Sequence, residues 1–600
     1  MKKKLAPLWL ILLVLVAYAP ALRNGLVWDD EALILRDPLI RSLNLIGEGF
    51  AHFLFTDATA SDFYRPIQRL TYTLDYAAFF FSPLGYHLVS IFWHAAAAVA
   101  LFYFAEEFLA RCQLEPARRF WVAFLASVVW ALHPIQSAAV VYVAGRADPL
   151  AAAFGFSALY FVFRMWRATG NRRWALGLAA GGCFLASALS KEMGLIFLLI
   201  LLILTGLERR RAVWLGAAGL MVGVLFAYLS LRLTVEHTPP PAAAPAPLLV
   251  RPIIAARAVA EYAGVIVLPR HLRMERDVAT HPQGSTAARM DIAAWRELQT
   301  LLGLVLIAAC LYGIWRSRRR PAVAVPLILA AVCYLPISGL IALNATVAEH
   351  WFYLPSAFLF LGGAAACETS GWPQTKKRGL RVAAVCLTIW FLFLPLRTFW
   401  RTFDWKDQRT FLTRTFRDGG DSAQMWINLG GLELNEGHLE AARAALDRAL
   451  AKEPNNPLAL LNLAAVTMRQ GDFPQTQSIL KKVVEPPEMR ARAEESLVVL
   501  ENRETGRVNL LRLRLAARLG PPNWSIEKRY VQALTDLHFF DRAITELKTC
   551  LNVAPYRAES WQMMSDLLRQ TGRPNEAAIA LAEAEACDVH LHEHGAAQKF

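Results

Sequence analysis

Long apolar runs alternate with short polar loops over the first two thirds of the chain. About eleven of these runs approach the roughly 20 residues that a helix needs to cross a bilayer, if the shorter ones extend into their flanks. They lie near residues 5–22, 86–105, 120–139, 148–163, 174–189, 193–207, 212–231, 299–315, 321–343, 351–367 and 382–398. The pattern predicts an all-α fold, with a polytopic membrane helix bundle over residues 1–400.

Basic residues between the runs set the predicted orientation, because Lys- and Arg-rich loops remain in the cytoplasm. Such residues precede the first run and follow the second, fourth and sixth runs, which agrees with a cytoplasmic N-terminus. The 232–298 stretch then begins and ends outside. Its apolar piece at 252–268 carries Arg257 and Glu261, so it is predicted to be a re-entrant or interfacial helix. The chain from residue 401 onward is predicted to lie outside.

Three segments next to the apolar runs need separate interpretation. The first run ends near Ala17-Tyr18-Ala19, which resembles a signal-peptide cleavage site. An uncleaved span is favoured because the run is long and many others follow it. The extracytoplasmic first loop, residues 23–85, is predicted to contain short surface helices. The segment 239–247, which is rich in proline and alanine, is predicted to be a stiff, extended linker.

The pattern changes from about residue 401 to soluble, alanine- and leucine-rich helices with a repeat. Trp426, Leu429-Gly430 and Gly437 match the tetratricopeptide consensus, and Gly471 follows Gly437 after one 34-residue period. Prolines recur at a similar interval, and the last unit is marked by Trp561 and Gly572. Residues 401–600 are therefore predicted to form a tetratricopeptide α-solenoid, whose stacked helix pairs make a groove suited to an extended peptide.

Composition narrows the function classes. Hydrophobic residues make up 56% of the chain, which is typical of an integral membrane protein rather than a large soluble one. The formal charge of +14 does not predict nucleic-acid binding, since the basic clusters lie largely between apolar runs. The eight cysteines form no CxxC pair, so neither a disulfide framework nor a zinc site is indicated.

An acidic stretch follows the first apolar run directly. Trp28 is succeeded by Asp29, Asp30 and Glu31 at the predicted outer surface. Carboxylates placed there could accept a proton from an attacking hydroxyl. The alternative is an interfacial tryptophan beside a solvated exit turn. Adjacent side chains on an extended segment point in different directions, so the two aspartates are predicted to hold separate roles, with Asp30 favoured as the base.

Further polar clusters interrupt apolar sequence on the same predicted face. Ionisable groups at membrane depth are costly, so they are functional candidates, although each could instead be a helix cap or an internal ion pair such as Arg146 with Asp148. Cationic side chains there could stabilise negative charge on a leaving lipid phosphate. The clusters are His133-Pro134-Ile135-Gln136, Gly145-Arg146-Ala147-Asp148, Ser190-Lys191-Glu192 and Glu349-His350-Trp351-Phe352-Tyr353-Leu354-Pro355-Ser356.

Together these motifs resemble those of the transmembrane-and-tetratricopeptide O-mannosyltransferases. The resemblance covers nearly the whole chain and rests on Trp28-Asp29-Asp30, Tyr64-Arg65-Pro66-Ile67, Tyr86-His87-Leu88-Val89, His133-Pro134-Ile135, Gly145-Arg146-Ala147-Asp148, Ser190-Lys191-Glu192 and Tyr353-Leu354-Pro355-Ser356. It implies a GT-C glycosyltransferase that uses a polyprenyl-phosphate sugar, with Asp29 and Asp30 at the catalytic centre.

The remaining site residues are assigned on the same basis. Donor-phosphate binding is predicted for Arg65, His133, Arg146, Lys191 and His350, and a supporting role for Glu31, Asp148, Glu192, Glu349 and Tyr353. The chain departs from the family pattern by having Ala138 after the His-Pro motif and His350-Trp351-Phe352 where an arginine is usual. Histidine in place of arginine loses a permanent charge and a bidentate phosphate grip.

The leading hypothesis is therefore an enzyme that moves a sugar, with mannose as one candidate, to a hydroxyl of a protein bound by the repeats. The predicted location is a bacterial inner membrane, with the active face outside and membrane lipids around the bundle. No cofactor is specified, although a divalent cation on Asp29 or Asp30 is compatible with the sequence. A non-enzymatic membrane-anchored scaffold for envelope assembly and a lipid-linked sugar transporter remain as alternatives.

Overall fold

A computed structural model describes residues 5–55, 63–208, 211–235, 247–276, 278, 287–341, 343, 345–369, 377–519 and 522–593. The predicted linker at 239–247 lies almost wholly outside these residues. The helices that precede the solenoid are α1 (Ala6–Tyr18), α2 (Ile46–Ala51), α3 (Pro66–Phe79), α4 (Pro83–Arg111), α5 (Pro116–Leu132), α6 (Ser137–Val140), α7 (Ala147–Met165), α8 (Gly170–Ser190), α9 (Ile196–Thr205), α10 (Arg211–Arg232), α11 (Arg251–Val267), α12 (Ala287–Arg316), α13 (Pro321–Tyr334), α14 (Tyr353–Thr369) and α15 (Lys377–Thr402).

The apolar runs fold as helices, and this confirms the predicted all-α membrane domain. Within the described chain, four helical segments are long and apolar enough to cross a membrane: Ala6–Arg23, Pro83–Arg111, Arg211–Arg232 and Trp295–Arg316. A fifth candidate is bent by 54° between α5 and α6. The bend falls at Pro134, which has no N–H with which to continue the helix. The full number of spans remains a prediction.

The centre of the bundle is formed by α4, α5, α7 and α14. Phe104 and Phe156 stack there with ring centroids 5.8 Å apart, and Phe358 packs edge-on against both. Gly155 allows α7 to approach Phe197, because a β-carbon at Gly155 would collide with that ring. Close packing of large aromatic rings against small residues gives the bundle a rigid core.

The charged apolar segment at 252–268 folds as α11, so its helical part is confirmed. Arg257 is 1% exposed, and its guanidinium donates to the carboxylate of Glu297 at 3.1 Å. The chain then forms a two-residue strand, β1 (Glu275–Arg276), which pairs antiparallel with β2 (Val347–Ala348). Buried charges in this region are thus paired within the protein. The position of α11 relative to a membrane remains a prediction.

The first loop is folded around a buried arginine. The Nε atom of Arg69, on α3, donates to Asp37 at 3.0 Å. Its other nitrogens donate to main-chain carbonyls, including that of Gly49 at 2.9 Å and that of Leu54 at 2.7 Å. One side chain therefore holds three parts of the loop together through charge-assisted hydrogen bonds.

The tetratricopeptide solenoid is confirmed from residue 423 onward. A connecting helix, α16 (Gln408–Arg417), leads into the helix pairs α17 (Ala423–Asn435), α18 (Leu439–Lys452), α19 (Pro457–Gln470), α20 (Phe473–Leu480), α21 (Pro487–Thr505), α22 (Leu510–Arg518), α23 (Trp524–Asp536), α24 (Phe540–Val553), α25 (Ala558–Gln570) and α26 (Pro574–Cys587). The backbone between the two helices of each pair turns through a residue with positive φ: Gly437, Gly471, Gly506, His538 or Gly572.

One of these turns lacks glycine. His538 adopts φ +59°, whereas Gly572, at the next turn, adopts φ +74°. A side chain in this region costs free energy, although histidine tolerates it better than most residues do. We expect His538→Gly to stabilise the α23–α24 pair by up to about 1 kcal/mol. Hydrogen-exchange mass spectrometry of the full-length protein should show slower exchange in these two helices.

Gly572→Ala is the matched control, because it places a side chain in the same conformation in the next pair. It should accelerate exchange in α25 and α26. Equal exchange of parent and His538→Gly in α23 and α24 would contradict the expected strain.

Candidate functional site

The carboxylate of Asp30 is buried and already engaged. Its Oδ2 atom accepts the main-chain N–H of Val27 at 3.1 Å, and Oδ1 accepts that of Ala144 at 2.7 Å. The residue is 0% exposed, and burial raises the pKa of Asp30 to about 7. Both oxygens thus accept main-chain hydrogen bonds, and the one from Ala144 fixes the loop between α1 and α2 to the turn before α7.

Asp29 lies beside this carboxylate but is half-buried. Its main-chain N–H donates to the hydroxyl of Tyr142 at 3.3 Å. Burial raises the pKa of Asp29, while a hydrogen bond with Tyr142 and the positive charge of Arg65 act in the opposite direction. Of the two adjacent aspartates, Asp29 is therefore the one that retains access to a reactant, and it lies near the positive charge of Arg65.

Trp28 sets the direction in which Asp29 points. It adopts φ +55°, which is strained for a bulky residue. Its main-chain N–H donates to the side-chain carbonyl of Gln408 at 2.8 Å, and its ring packs edge-on against Phe411 at 5.4 Å between centroids. Gln408 and Phe411 both belong to α16, so the connecting helix of the solenoid holds the residue next to Asp29.

A third carboxylate enters the site from a distant part of the chain. Glu275, on β1, is half-buried and interacts electrostatically with Asp29. Burial, followed by the charge of Asp29, raises the pKa of Glu275 to about 7. Sequence reasoning missed this residue, because nothing in the pattern around it distinguishes it from a solvated loop acid.

Two of the predicted phosphate-binding cations form a neighbouring cluster. Arg65 donates through Nε and Nη2 to the Glu192 carboxylate, with contacts of 3.0 and 2.8 Å to Oε2. The ammonium of Lys191 donates to both oxygens of Asp148 at 2.7 Å. The supporting residues Glu192 and Asp148 are thus the ion-pair partners of the two cations. The four side chains thus form a network of alternating positive and negative charges beside Asp29 and Asp30.

His350 belongs to the same cluster. Burial lowers the pKa of His350 well below its usual value, and the positive charges of Lys191 and Arg65 lower it further. Its Nδ1 atom is buried and has no hydrogen-bond partner among the residues that the structure describes. A buried nitrogen without a partner costs free energy, so this atom is suited to contact a ligand.

Arg146 has a different environment from the one predicted. It is 0% exposed, and its guanidinium donates to Asp75 at 2.5 Å, Ser90 at 3.0 Å, Thr71 at 3.1 Å and the main-chain carbonyl of Tyr86 at 2.6 Å. These contacts engage all three guanidinium nitrogens and four of the five N–H groups, which does not favour a role in phosphate binding. The alternative ion pair with Asp148 is also corrected, since the partner is Asp75.

The side chains of His133 and Tyr353 make their polar contacts with other residues of the helix bundle. The Nδ1 atom of His133 accepts the main-chain N–H of Ile135 at 3.2 Å, and Nε2 lies 3.0 Å from the carbonyl of Ile266. Both ring nitrogens are therefore engaged, which leaves none for a phosphate. The Tyr353 hydroxyl lies 2.6 Å from His94 Nδ1 in the bundle centre.

The two remaining predicted acids are also accounted for. Glu349 is 1% exposed and accepts the main-chain N–H of Arg273 at 2.6 Å, with Arg276 and Arg401 at 3.3 and 3.4 Å. It therefore joins three basic residues. Glu31 is exposed and pairs with Arg36, as expected for an exit turn.

The described residues also include one group of possible metal ligands outside this site. Glu433, Glu436 and His438 lie together in the solenoid. Arg409 donates to both carboxylates, which compensates their charge without a cation. Asp30 is equally unsuited to a cation, because each of its oxygens accepts a main-chain N–H.

Comparisons with known proteins confirm the resemblance that the motifs predict. The human protein O-mannosyl-transferase TMTC3 is 24% identical over 488 residues, which are 75% of this chain and 52% of that protein. The Drosophila melanogaster protein O-mannosyl-transferase Tmtc1 is 31% identical over 192 residues, or 31% of this chain and 21% of the relative. The chain thus spans about half the length of TMTC3.

A tetratricopeptide repeat family profile matches residues 433–493. Among solved structures, ArnT from Cupriavidus metallidurans bound to undecaprenyl phosphate aligns over 80% of this chain and 81% of its own, with 13% identity and a TM-score of 0.34. YrrB, a tetratricopeptide protein with an unusual peptide-binding site, aligns over 32% of this chain and 98% of its own, with 19% identity and a TM-score of 0.21.

The pairing of Arg146 with Asp75 predicts a structural role that can be measured. Arg146→Met leaves a buried carboxylate without its partner, which should cost about 3–5 kcal/mol of stability. Thermal unfolding of the detergent-solubilised protein should begin at a lower temperature. The double variant Arg146→Met/Asp75→Leu removes both charges and should recover much of the loss.

Lys452→Met is the control, because it breaks the exposed ion pair with Asp421. Exposed ion pairs contribute little to the free energy of unfolding, so the unfolding temperature of this variant should match that of the parent. If Arg146→Met unfolds like the parent, the ion pair is dispensable and Arg146 is available for another role.

Proposed function

We propose that this chain, which is similar to the protein O-mannosyltransferases, is a membrane glycosyltransferase. Its reaction transfers a sugar, mannose by similarity to these relatives, from a polyprenyl phosphate to a hydroxyl of a protein. The observation that carries the proposal is the position of the half-buried Asp29 carboxylate next to the cations Arg65 and Lys191 and the neutral ring of His350. A base and an anion-binding cluster side by side suit a transfer from a phosphate to a hydroxyl.

In the proposed reaction, the acceptor hydroxyl oxygen attacks the anomeric carbon of the donor sugar. The bond between that carbon and the phosphate oxygen breaks, and its electron pair leaves with the polyprenyl phosphate. Asp29 accepts the hydroxyl proton, so the products are the glycosylated protein and the free lipid phosphate. The sequence favoured Asp30 as the base, but its hydrogen bonds to Val27 and Ala144 favour an orienting role instead.

The leaving phosphate is proposed to bind at Arg65, Lys191 and His350. The two cations have ion-pair partners in this structure, so a phosphate would join an existing network of alternating charge. His350 would contribute the unpaired Nδ1 atom as a hydrogen-bond donor. A histidine makes a weaker phosphate contact than the arginine usual at this position in the family.

The active face and the solenoid are proposed to lie on the extracytoplasmic side of a bacterial inner membrane. The alternating basic loops support this orientation. Direct contacts between the first loop and the segment that leads into the solenoid support a common side for both, since Gly25 donates its main-chain N–H to the Lys406 carbonyl at 2.8 Å.

A divalent cation, if one is used, would be bound by the carboxylates of Asp29 and Glu275.

The first experiment compares the two neighbouring aspartates. Asp29→Asn keeps the shape but removes proton acceptance, which should lower the rate of mannose transfer by about 10²–10⁴-fold with folding retained. Asp30→Asn replaces one carboxylate oxygen with a donor that faces a main-chain N–H, so it should destabilise the protein by about 1–3 kcal/mol. Transfer from polyprenyl-phosphate mannose and thermal unfolding are measured in parallel. Glu48→Gln, in the same loop, should transfer at the parental rate.

The rate should also fall as the pH is lowered. Asp29 must be ionised to accept the proton, and burial raises its pKa, so protonation begins at a higher pH than for an exposed aspartate. A folded Asp29→Asn variant that transfers sugar at the parental rate would refute Asp29 as the base. Transfer by neither parent nor variant, with any protein acceptor, would refute the glycosyltransferase proposal.

The phosphate site generates a second prediction. The double variant Lys191→Gln/Asp148→Asn removes one phosphate contact without leaving an unpaired charge. It should weaken donor binding by about 1.5–3 kcal/mol, whereas His350→Arg should strengthen it. Binding of polyprenyl-phosphate mannose to purified protein is measured by calorimetry. Arg118→Gln, in a predicted cytoplasmic loop, is the control, and unchanged affinity in both site variants would exclude this cluster.

A further inference from the structure

The connecting segment that leads into the solenoid, residues 406–411, is attached to the first loop. The main-chain N–H of Gly25 donates to the Lys406 carbonyl, and that of Trp28 donates to the Gln408 side chain, both at 2.8 Å. The ring of Trp28 also packs against Phe411. These contacts lie immediately before Asp29 in sequence.

The end of the solenoid returns to the same loop. The Tyr76 hydroxyl donates to Asp588 Oδ1 at 2.8 Å, and the main-chain N–H of Val589 donates to the Arg41 carbonyl at 3.1 Å. We name these four residues the clasp. Apolar side chains from both segments bury one another beside it: Leu45, Ala558, Ala584, Cys587 and Leu591.

Aromatic contacts extend the clasp. The Arg41 guanidinium lies 4.7 Å from the centroid of the Tyr76 ring and 4.4 Å from that of Phe81. The His590 ring packs against Tyr76 and Phe80 at 5.2 and 4.9 Å. The contact thus combines hydrogen bonds, apolar burial and cation–π interactions, which is the composition of a specific interface.

The middle of the solenoid is not attached in this way. In the described part of residues 433–555, no hydrogen bond, ion pair or ring contact reaches a residue before 402, and the buried apolar side chains form clusters separate from that of the bundle. The two attachments, at 24–28 and at 41–76, lie on either side of Asp29 and Asp30 in the chain. The connecting segment, the solenoid and the first loop therefore form a closed ring of contacts, and Asp29 and Asp30 lie between the two attachments in sequence.

Inside the solenoid, amide side chains recur at the repeat period. Asn428 on α17 and Asn462 on α19 are both half-exposed, and they are separated by one 34-residue unit. A β-carbon at Gly431 would lie 3.7 Å from the Asn462 amide nitrogen, and the Asn428 amide oxygen accepts a hydrogen bond from the Gln424 side chain at 3.0 Å. An amide offers both a donor and an acceptor, so amides at regular spacing suit the main chain of an extended peptide whatever its side chains.

We propose that the acceptor passes through this ring as an extended polypeptide segment to reach Asp29. The inference rests on the proposed function and names its substrate class: flexible or unfolded stretches that carry hydroxyl side chains. A closed clasp admits a chain with a free end. A stretch flanked on both sides by folded domains enters only when the clasp opens.

The test locks the ring with a covalent bridge. Asn44 and Ala586 are exposed on opposite sides of the clasp, where the Asn44 amide lies 3.4 Å from the Ala586 carbonyl. The full-length variant Asn44→Cys/Ala586→Cys is joined by a short bismaleimide. Arg443→Cys/Gln475→Cys is the matched control, because these side chains are 2.8 Å apart on neighbouring helices within the solenoid and do not close the ring.

Two acceptors are compared with polyprenyl-phosphate mannose as donor. Both contain a serine- and threonine-rich linker of about 40 residues, which spans about 130–140 Å when extended. One has a compact folded domain at one end, and the other has such domains at both ends. The locked enzyme should retain transfer to the first acceptor and lose transfer to the second, whereas the control cross-link should leave both unchanged.

The possible outcomes distinguish a failure of the threading proposal from a failure of the proposed glycosyltransferase function. Failure of the clasp cysteines to cross-link, while the control pair does, would show that the ring is open. Equal transfer to both acceptors by the locked enzyme would show that threading is not needed. Absence of transfer by the parent to either acceptor would instead overturn the proposed function, and the acceptor assignment with it.

Discussion

A charge buried in an apolar helix bundle costs several kcal/mol unless a partner compensates it, and this requirement determines how the first loop is attached. Asp75 belongs to the loop region and pairs with Arg146 at the start of α7. Arg65 likewise precedes α3 and pairs with Glu192 after α8. Each pair joins the loop to a different bundle helix, so the loop is part of the bundle rather than an appendage.

The same constraint separates two adjacent aspartates. Asp30 is buried, and main-chain N–H groups satisfy both its oxygens, so its carboxylate serves to hold the loop. Asp29 is one residue away but faces the Arg65 cluster and Glu275. The functional difference between them arises from their hydrogen-bond partners, which the residue type alone does not specify.

Periodicity and hydropathy were sufficient to predict most of the helices and the repeats, because both are local patterns. The partners of the charged groups were not predictable in this way. Arg146 could pair with Asp148, two residues on, yet its partner is Asp75, 71 residues earlier. Glu275 reaches Asp29 only because β1 pairs with β2 across a long stretch of chain. Such contacts depend on the packing of helices that are distant in sequence.

The attachments before and at the end of the solenoid connect it to the chain segment that contains Asp29, the proposed base. Trp28 has a strained left-handed backbone, which costs of the order of 1–3 kcal/mol and persists only where its surroundings hold it. Gln408 and Phe411 of α16 supply that support. A movement of the solenoid would therefore act on Trp28 and, through the chain, on the direction of Asp29. In the proposed reaction, the solenoid that binds the acceptor and the aspartate that accepts the proton are thus mechanically connected through α16.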